Sequence, residues 1–149
     1  MIIKFSKLNE NAVIPSQAKP GDAGVDLTAI SYNYVHNAPV PFYNYEFGLA
    51  VEIPAGWVGL IFPRSSISNK DLMLTNCVGV IDSGYRGALS ARFKVTHFKS
   101  EMPTLYKVGE RIAQLVLVPC PEVMTCIEVP YSNLTVTERG TGSFGSSGA

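Results

Sequence analysis

The stretch from residue 79 to residue 96 reads GVIDSGYRGALSARFKVT, and it predicts two strands joined by a glycine-containing turn. From Leu89 to Val95, apolar and polar residues alternate, which is the period of a strand with one buried face. The first half is a short apolar run that ends at Asp82, and glycines follow on both sides of Tyr85. The stretch therefore indicates a β protein with a polar group at the end of a hairpin.

Short apolar runs broken by turns continue along the rest of the chain. Its 149 residues include 13 glycines and 10 prolines, which disfavour long helices. This pattern is typical of an all-β sandwich or barrel. One short helix is predicted at Ser66–Asp71, with serines available to cap it. Strands are predicted at Ile2–Lys7, Asp26–Ala29, Tyr45–Ile53, Trp57–Phe62, Val78–Ile81, Ala88–Phe98, Arg111–Val118 and Cys126–Val129.

The last part of the Arg111–Val118 strand is apolar at every position from Leu115 to Val118. A strand of this kind is covered on both of its faces. Two interpretations are open: it is a central core strand within one chain, or its outer face packs against another subunit. The sequence by itself favours the first interpretation slightly.

The bulk composition narrows the class of protein. Hydrophobic residues make up 46% of the chain and charged residues 16%, which is enough apolar material for one folded domain. The formal net charge is zero, so direct binding to nucleic acid is not expected. No segment reaches membrane-spanning or signal-peptide length, and the three cysteines include no CxxC pair. These features predict a cytoplasmic protein without a membrane partner, disulfide framework or zinc site.

The hairpin turn is the first candidate for chemistry. Asp82 follows an apolar run and precedes a glycine-flanked turn, and a carboxylate fixed there can orient and deprotonate a water molecule. Tyr85 can offer its ring to a flat or sugar-like group. The alternative is an ordinary hairpin in which Asp82 caps its own turn.

Three further segments carry polar groups suited to phosphate or metal. Arg64 and the serines after it stand where a strand gives way to the predicted helix, a position that favours anions. Asp26 lies at a strand start and can hold a Mg²⁺-bound water. Gln114 interrupts an apolar run and needs a partner, either Arg64 or a local backbone group. Ordinary turn, strand-end and surface roles are the alternatives for each.

The C-terminal residues 138–149 change in character to a Gly/Ser-rich tail, RGTGSFGSSG from Arg139 to Gly148. Successive backbone N–H groups in such a loop can form an anion nest. The alternative is a disordered tail, although Phe144 is an isolated aromatic that suggests docking onto a flat group.

Five segments in this order resemble the five motifs of the trimeric dUTPase family. The resemblance covers nearly the whole chain and implies a jelly-roll-like fold, a homotrimer with shared active sites, and Mg²⁺ as cofactor. It also implies a β domain over residues 1–137 and an arm over residues 138–149 that closes over an active site of the trimer. The segments are AGVDL (23–27), FPRSS (62–66), GVIDSGYRG (79–87), GERIAQL (109–115) and RGTGSFGSSG (139–148).

The resemblance implies a role for each site residue. Asp82 would be the general base, Tyr85 would stack under the deoxyribose, and Asp26 would contact Mg²⁺ through water. Asn76 and the backbone from Cys77 to Ile81, with Gly79 and Val80, would form the uracil pocket. The phosphates would be bound by Arg64, Ser65, Ser66, Gln114, Arg139, Gly145 and Ser146, while Phe144 covers the uracil.

The implied reaction is hydrolysis of dUTP to dUMP and pyrophosphate, which limits uracil in DNA and supplies dUMP. Two alternatives are a dCTP deaminase-like enzyme of the same fold and a non-catalytic trimeric nucleotide-binding module. The turn departs from the family pattern because Gly84 stands where many relatives have a second acid. Ser143 and Ser147 stand where Gly and Thr are frequent; Ser147 keeps a hydroxyl, whereas Ser143 reduces the flexibility expected of the arm.

Overall fold

The computed structural model describes residues 2–96, 102–121 and 125–141. In this part of the chain, strands account for nearly all regular structure, and no α-helix is present. The strands are β1 (Lys4–Lys7), β2 (Val25–Thr28), β3 (Ser31–Val35), β4 (Phe42–Glu46), β5 (Leu49–Glu52), β6 (Trp57–Pro63), β7 (Leu72–Leu74), β8 (Gly79–Ile81), β9 (Ser90–Val95) and β10 (Arg111–Pro119).

The strands form three antiparallel sheets around one core. The first sheet has the order β2-β10-β6-β8, the second has the order β3-β4-β9-β7, and β1 pairs with β5. Leu27 and Leu115 from the first sheet, Phe93 from the second and Leu49 from β5 all belong to the same buried cluster. The prediction of an all-β, jelly-roll-like fold is confirmed.

Strand β9 shows the alternation that the sequence predicts. Ala91 and Phe93 are buried, while Ser90 and Arg92, which alternate with them, are exposed. Leu89, just before the strand, is also buried. The inward residues pack β9 against the core. The chain therefore passes from the turn after β8 directly into the second sheet.

Two strand predictions are wrong, and two strands were missed. Tyr45–Ile53 is not one strand, because Gly48 turns the chain at φ 63° between β4 and β5. A side chain at this glycine would lie 2.5 Å from Ile30 Cδ1, so the turn needs glycine. Cys126–Val129 forms no strand and is exposed. Conversely, β3 and β7 are strands that the sequence did not predict.

The predicted helix is present in a different form. It is a 3-10 helix at Ser65–Asn69, and a second one lies at Tyr131–Asn133. The expectation of a serine cap is wrong, because Arg64 occupies the cap position and makes no side-chain cap hydrogen bond. No helix in the described residues is long and apolar enough to cross a bilayer.

Strand β10 lies between β2 and β6, which agrees with the interpretation of residues 115–118 as a central core strand. Leu115 is 2% exposed and Leu117 packs against the core. On the opposite face Val116 is half-buried and Val118 is 36% exposed, so this face is covered only in part within the chain. The other interpretation, a second subunit against the outer face, stays a prediction.

Candidate functional site

The predicted pairing of the two strands around Asp82 is wrong, because β8 lies in the first sheet and β9 in the second. We call residues 79–95 the hairpin for the turn that they contain. This turn is closed by a main-chain bond and by Arg86. The Tyr85 N–H donates to the Asp82 carbonyl at 3.0 Å, which closes the turn. The Arg86 guanidinium donates to the carbonyls of Ser83 at 2.6 Å and Tyr85 at 2.8 Å. Because these contacts hold the turn, the Asp82 side chain is not needed to form it.

The Asp82 carboxylate is exposed and makes no hydrogen bond or ion pair with any residue that the structure describes. The expectation that Asp82 caps its own turn through its side chain therefore finds no support. The Asp82 carbonyl closes the turn instead, and the carboxylate stays available to a water molecule or ligand. This side chain lines a cavity of about 240 Å³ together with Tyr85, Leu89 and Ser90.

Tyr85 is held in one place on the hairpin. Its hydroxyl donates to the Ala88 carbonyl at 3.0 Å. A Cβ added to Gly87 would lie 2.6 Å from Cζ of the Tyr85 ring, so glycine at this position makes room for the ring. The ring is nevertheless 43% exposed, which leaves surface for a ligand.

A second part of the hairpin lines a neighbouring cavity of about 300 Å³. The two cavities share Val80, Ile81 and Ser90, and the predicted uracil-pocket residues Asn76 and Gly79 line the second one. Strand β8 is the edge of its sheet. In an antiparallel ladder every other residue turns its N–H and C=O away from the partner strand, so β8 offers unpaired main-chain groups here.

The chain enters this hairpin through a strained residue. Cys77 has φ 61°, a left-handed conformation that non-glycine residues rarely adopt. Its N–H donates to the Leu74 carbonyl at 3.2 Å, and the next residue, Val78, donates to the Asn76 carbonyl at 2.6 Å. Local strain of this kind clusters at ligand sites, and here it borders the cavity that Asn76 lines.

Predicted phosphate- and metal-binding residues meet at a different place, one end of the first sheet. Asp26 on β2 is the register partner of Gln114 on β10, and Arg64 directly follows β6, the strand on the other side of β10. With Ser65, these side chains line a cavity of about 260 Å³. We call it the arginine cavity. Residues from three segments far apart in sequence are thus brought together by strand pairing.

Asp26 is clamped by two arginines. Its carboxylate accepts from Arg64 Nε at 2.8 Å and from an Arg111 guanidinium nitrogen at 3.1 Å. The Asp26 side chain is 17% exposed, so the two cations offset the cost of partly burying its charge. Arg111 is a residue that sequence reasoning missed. It reaches Asp26 because the pairing of β10 with β2 shifts register between Arg111 and Ala113.

Gln114 bonds to a backbone carbonyl rather than to Arg64, but this carbonyl is not local, since it lies 51 positions away in the sequence. Its side-chain amide donates to the Pro63 carbonyl on β6 at 3.4 Å. The Arg64 guanidinium bonds instead to Asp26 and, at 3.5 Å, to the Arg111 carbonyl. Gln114 thus joins the two strands that carry Arg64 and Arg111.

Ser66 faces away from the arginine cavity. Its hydroxyl lies 3.1 Å from that of Tyr106, a residue that sequence reasoning also missed. Tyr106 is 2% exposed, and burial raises the pKa of its phenol above the usual value. The phenol therefore stays protonated near neutral pH. No pattern in the sequence pairs the two residues, because they come from separate loops.

The arm is described only up to residue 141. Arg139 lies in an exposed turn, where the Gly140 N–H donates to the Thr137 carbonyl at 3.0 Å. It does not line the hairpin cavities or the arginine cavity. The predicted residues Phe144, Gly145 and Ser146 lie outside the described residues.

The described residues offer few side-chain donors for a metal ion. They contain no group of three His, Cys, Asp or Glu side chains able to enclose an ion. Mg²⁺ commonly keeps several waters and takes one or two carboxylates together with substrate phosphates. Asp26 and Asp22 both line the arginine cavity, and each carboxylate oxygen has more than one lone pair. The site therefore fits a Mg²⁺ ion held mainly by phosphates and water.

A family model described as dUTPase matches residues 10–148. The chain belongs to the dUTPase family. A deoxyuridine 5'-triphosphate nucleotidohydrolase of Gloeobacter violaceus is 38% identical over 147 residues, covering 98% of this chain and 96% of the relative. One from Escherichia phage T5 is 38% identical over 148 residues, covering 96% and 97%.

Solved structures of dUTPases have the same fold. A mutant of the Staphylococcus bacteriophage 80alpha dUTPase, solved with dUpNHpp, matches with a TM-score of 0.76 and 32% identity over 99% of each chain. A mutant dUTPase from phage phi11 of S. aureus matches with a TM-score of 0.67 and 28% identity, covering 86% of this chain and 98% of that one. The latter is described as revealing the coordination of a structural Mg(II) ion.

Proposed function

We propose that this protein is a dUTP diphosphatase that hydrolyses dUTP to dUMP and pyrophosphate. The observation that carries the proposal is the unpaired Asp82 carboxylate at the mouth of a hairpin whose edge strand β8 has free main-chain groups. In the cell, this activity would lower the dUTP available for incorporation into DNA and supply dUMP. We expect it to act in the cytoplasm.

Asp82 acts as the general base. A water oxygen forms a bond to the α-phosphorus while the water gives a proton to the Asp82 carboxylate. The bond from the α-phosphorus to the oxygen that bridges to the β-phosphorus breaks, and pyrophosphate leaves. No covalent enzyme intermediate forms. General-base assistance of this kind contributes about 10²- to 10⁴-fold in rate.

The arginine cavity receives the phosphates. Arg64 supplies fixed positive charge there, Ser65 supplies a hydroxyl and Gln114 holds the strand ends together. A triphosphate is strongly anionic and repels a nucleophile, so its charge must be offset before attack. When bound, Mg²⁺ would add to this neutralisation and stabilise the leaving pyrophosphate. Asp26 would hold it through water.

The hairpin selects the base and the sugar. The outward N–H groups of β8 would donate to uracil oxygens, whereas cytosine would present its amino group to them, donor against donor. Mismatches of this type discriminate by about 10⁴-fold or more. Asn76 would help to close the pocket. Tyr85, fixed by Ala88 and Gly87, would lie under the deoxyribose and leave no space for a 2′-hydroxyl.

The active enzyme is a homotrimer in this proposal. The larger hairpin cavity and the arginine cavity share no lining residue within one chain, which supports an active site that combines cavities of different subunits. The outer face of the first sheet has apolar side chains to bury, among them Val118 at 36% and Val80 at 62% exposure. Exposed apolar patches of this kind are typical of protein interfaces.

The arm over residues 138–149 completes the site of a neighbouring subunit. The described segment before it, residues 125–136, is exposed throughout and pairs with no strand, which supports a role outside its own β domain. Arg139 and Ser146, with the Gly145 backbone, would hold the terminal phosphate. Phe144 would cover the uracil.

A nucleotide panel tests the proposal. Purified protein is incubated with dUTP, dCTP, dTTP and UTP, with and without Mg²⁺, and the products are separated by chromatography. We expect pyrophosphate and dUMP from dUTP in the presence of Mg²⁺. Formation of dUTP from dCTP would instead identify a deaminase, and tight dUTP binding without turnover would identify a binding module.

A further inference from the structure

We propose that Tyr106 is a positioning residue for the phosphate-binding segment, acting through Ser66. This inference rests on the proposed function, because it assigns Arg64 and Ser65 to the substrate phosphates. The Ser66 hydroxyl then serves as an anchor on the protein side of the segment.

The hydroxyl contact joins the 3-10 helix to the segment that leads into β10. The 3-10 helix at Ser65–Asn69 directly follows Arg64, and Ser66 bonds to Tyr106 at 3.1 Å. Tyr106 precedes β10, which carries Arg111 and Gln114. The hydroxyl pair therefore fixes one wall of the arginine cavity relative to the strand that forms the other wall.

Tyr106 itself has little freedom to move. It is 2% exposed, and its carbonyl accepts from the Tyr45 hydroxyl at 3.1 Å. Its ring packs edge-on against Tyr45, with ring centroids 6.4 Å apart, and against Phe93, at 6.2 Å. A side chain held in this way is a rigid reference point for the hydroxyl of Ser66.

Lys70 secures the other end of the same 3-10 helix. Its ammonium group lies 4.7 Å from the centre of the Tyr106 ring and donates to the Leu105 carbonyl at 3.0 Å. It also pairs with Glu110 at 3.4 Å. The helix is thus fixed to the segment from Leu105 to Glu110 at both ends, and Arg64 and Ser65 extend from its start.

The test separates phosphate binding from uracil binding. We would make Tyr106→Phe, which removes one hydroxyl and keeps the buried ring, and Ser66→Ala, together with the double variant. Tyr34→Phe is the control, because it removes an exposed tyrosine hydroxyl on β3. Isothermal titration would measure the Kd of each protein for dUpNHpp and for dUMP in the presence of Mg²⁺.

We expect Tyr106→Phe and Ser66→Ala each to weaken dUpNHpp binding by roughly 3- to 10-fold, the loss of about one hydrogen bond. Binding of dUMP stays within about twofold, since it lacks the β- and γ-phosphates. The double variant matches the single ones, because both lose the same contact. The control is unchanged.

Equal weakening of both ligands would overturn the proposal, because it would indicate a general structural role. Unchanged dUpNHpp binding in both single variants would overturn it as well. Failure of the proposed function is distinguishable, since the unmodified protein would then release no dUMP and pyrophosphate from dUTP, whatever the Kd values of the variants. If Tyr106→Phe does not fold, Ser66→Ala alone decides the question by the same ratio of the two Kd values.

Discussion

The hairpin between β8 and β9 and the arginine cavity are organised in opposite ways. The hairpin is local in sequence, its turn is closed by a main-chain bond, and its carboxylate at Asp82 has no partner among the residues that the structure describes. The arginine cavity is assembled from three strands, and its carboxylate at Asp26 is paired twice. The comparison shows one region with an available reactive group and another in which charges are arranged before any ligand arrives. Both are needed for hydrolysis of a charged substrate.

The largest effect is expected where the hairpin loses its unpaired carboxylate. Asp82→Asn should lower kcat by about 10²- to 10⁴-fold, because the base is gone, while the Kd for dUpNHpp changes little. Single-turnover kinetics and titration would measure the two quantities. Turnover at the unmodified rate would mean that another group accepts the proton.

The arginine cavity should respond in binding more than in the chemical step. Arg64→Met should weaken dUpNHpp binding by about 10-fold or more, since it removes a charged hydrogen-bond donor that lines the cavity. Arg111→Met is the matched variant. It removes the other cation that pairs with Asp26, but the Arg111 side chain does not line the cavity. It should weaken binding less. An equal loss in both would indicate that the ion pairs matter more than the contact with phosphate.

Sugar selection should depend on the space that Gly87 leaves for Tyr85. Gly87→Ala would place a Cβ 2.6 Å from Cζ of the Tyr85 ring, and the ring would be displaced. We expect the discrimination of dUTP against UTP to fall by roughly 10-fold, which is the low end of what one contact contributes to specificity. The ratio of kcat/KM values for the two nucleotides measures this. Gly84→Ala is the control, since its Cβ meets nothing within 4 Å, and it should keep the discrimination.

The smallest effect concerns Glu110, beside the arginine cavity. A hydrogen bond from the Lys107 N–H, and then Lys70, lowers the pKa of this carboxyl. The folded-state pKa lies below the unfolded value, so the stabilisation is present above about pH 4.3 and is lost as the pH falls through the folded pKa. Because the Glu110 side chain is 42% exposed, solvent screens its charge and the contribution is under about 1 kcal/mol. Glu110→Gln should lower Tm slightly at pH 7 and not at pH 3, as measured by thermal melts.

Local patterns in the sequence were enough to predict the turn after Asp82, strand β9 and much of the fold, but not that β8 and β9 belong to different sheets. The alternation in β9 and the glycines around Tyr85 report directly on burial and turn geometry. The short strands β3 and β7 were missed because a run of three to five residues carries little periodic signal. The five motifs identified the family, which the matching dUTPase model over residues 10–148 confirms.

The arginine cavity was predicted as a set of residues but not as a set of contacts. Which arginine pairs with Asp26 depends on the register shift between Arg111 and Ala113, and register of this kind is decided by three-dimensional pairing. The same holds for Ser66 and Tyr106, which lie 40 positions apart. Non-local contacts between loops leave no pattern in either segment.

The unpaired edge of β8 affects which amino-acid substitutions this strand can accept during evolution. If the base is read by main-chain groups of residues 79–81, the nucleotide takes the place of the strand that the sheet lacks at this edge. Main-chain groups are the same in every amino acid. Outward side chains such as Val80 can therefore drift among similar residues in descendant sequences while the preference for uracil is inherited unchanged.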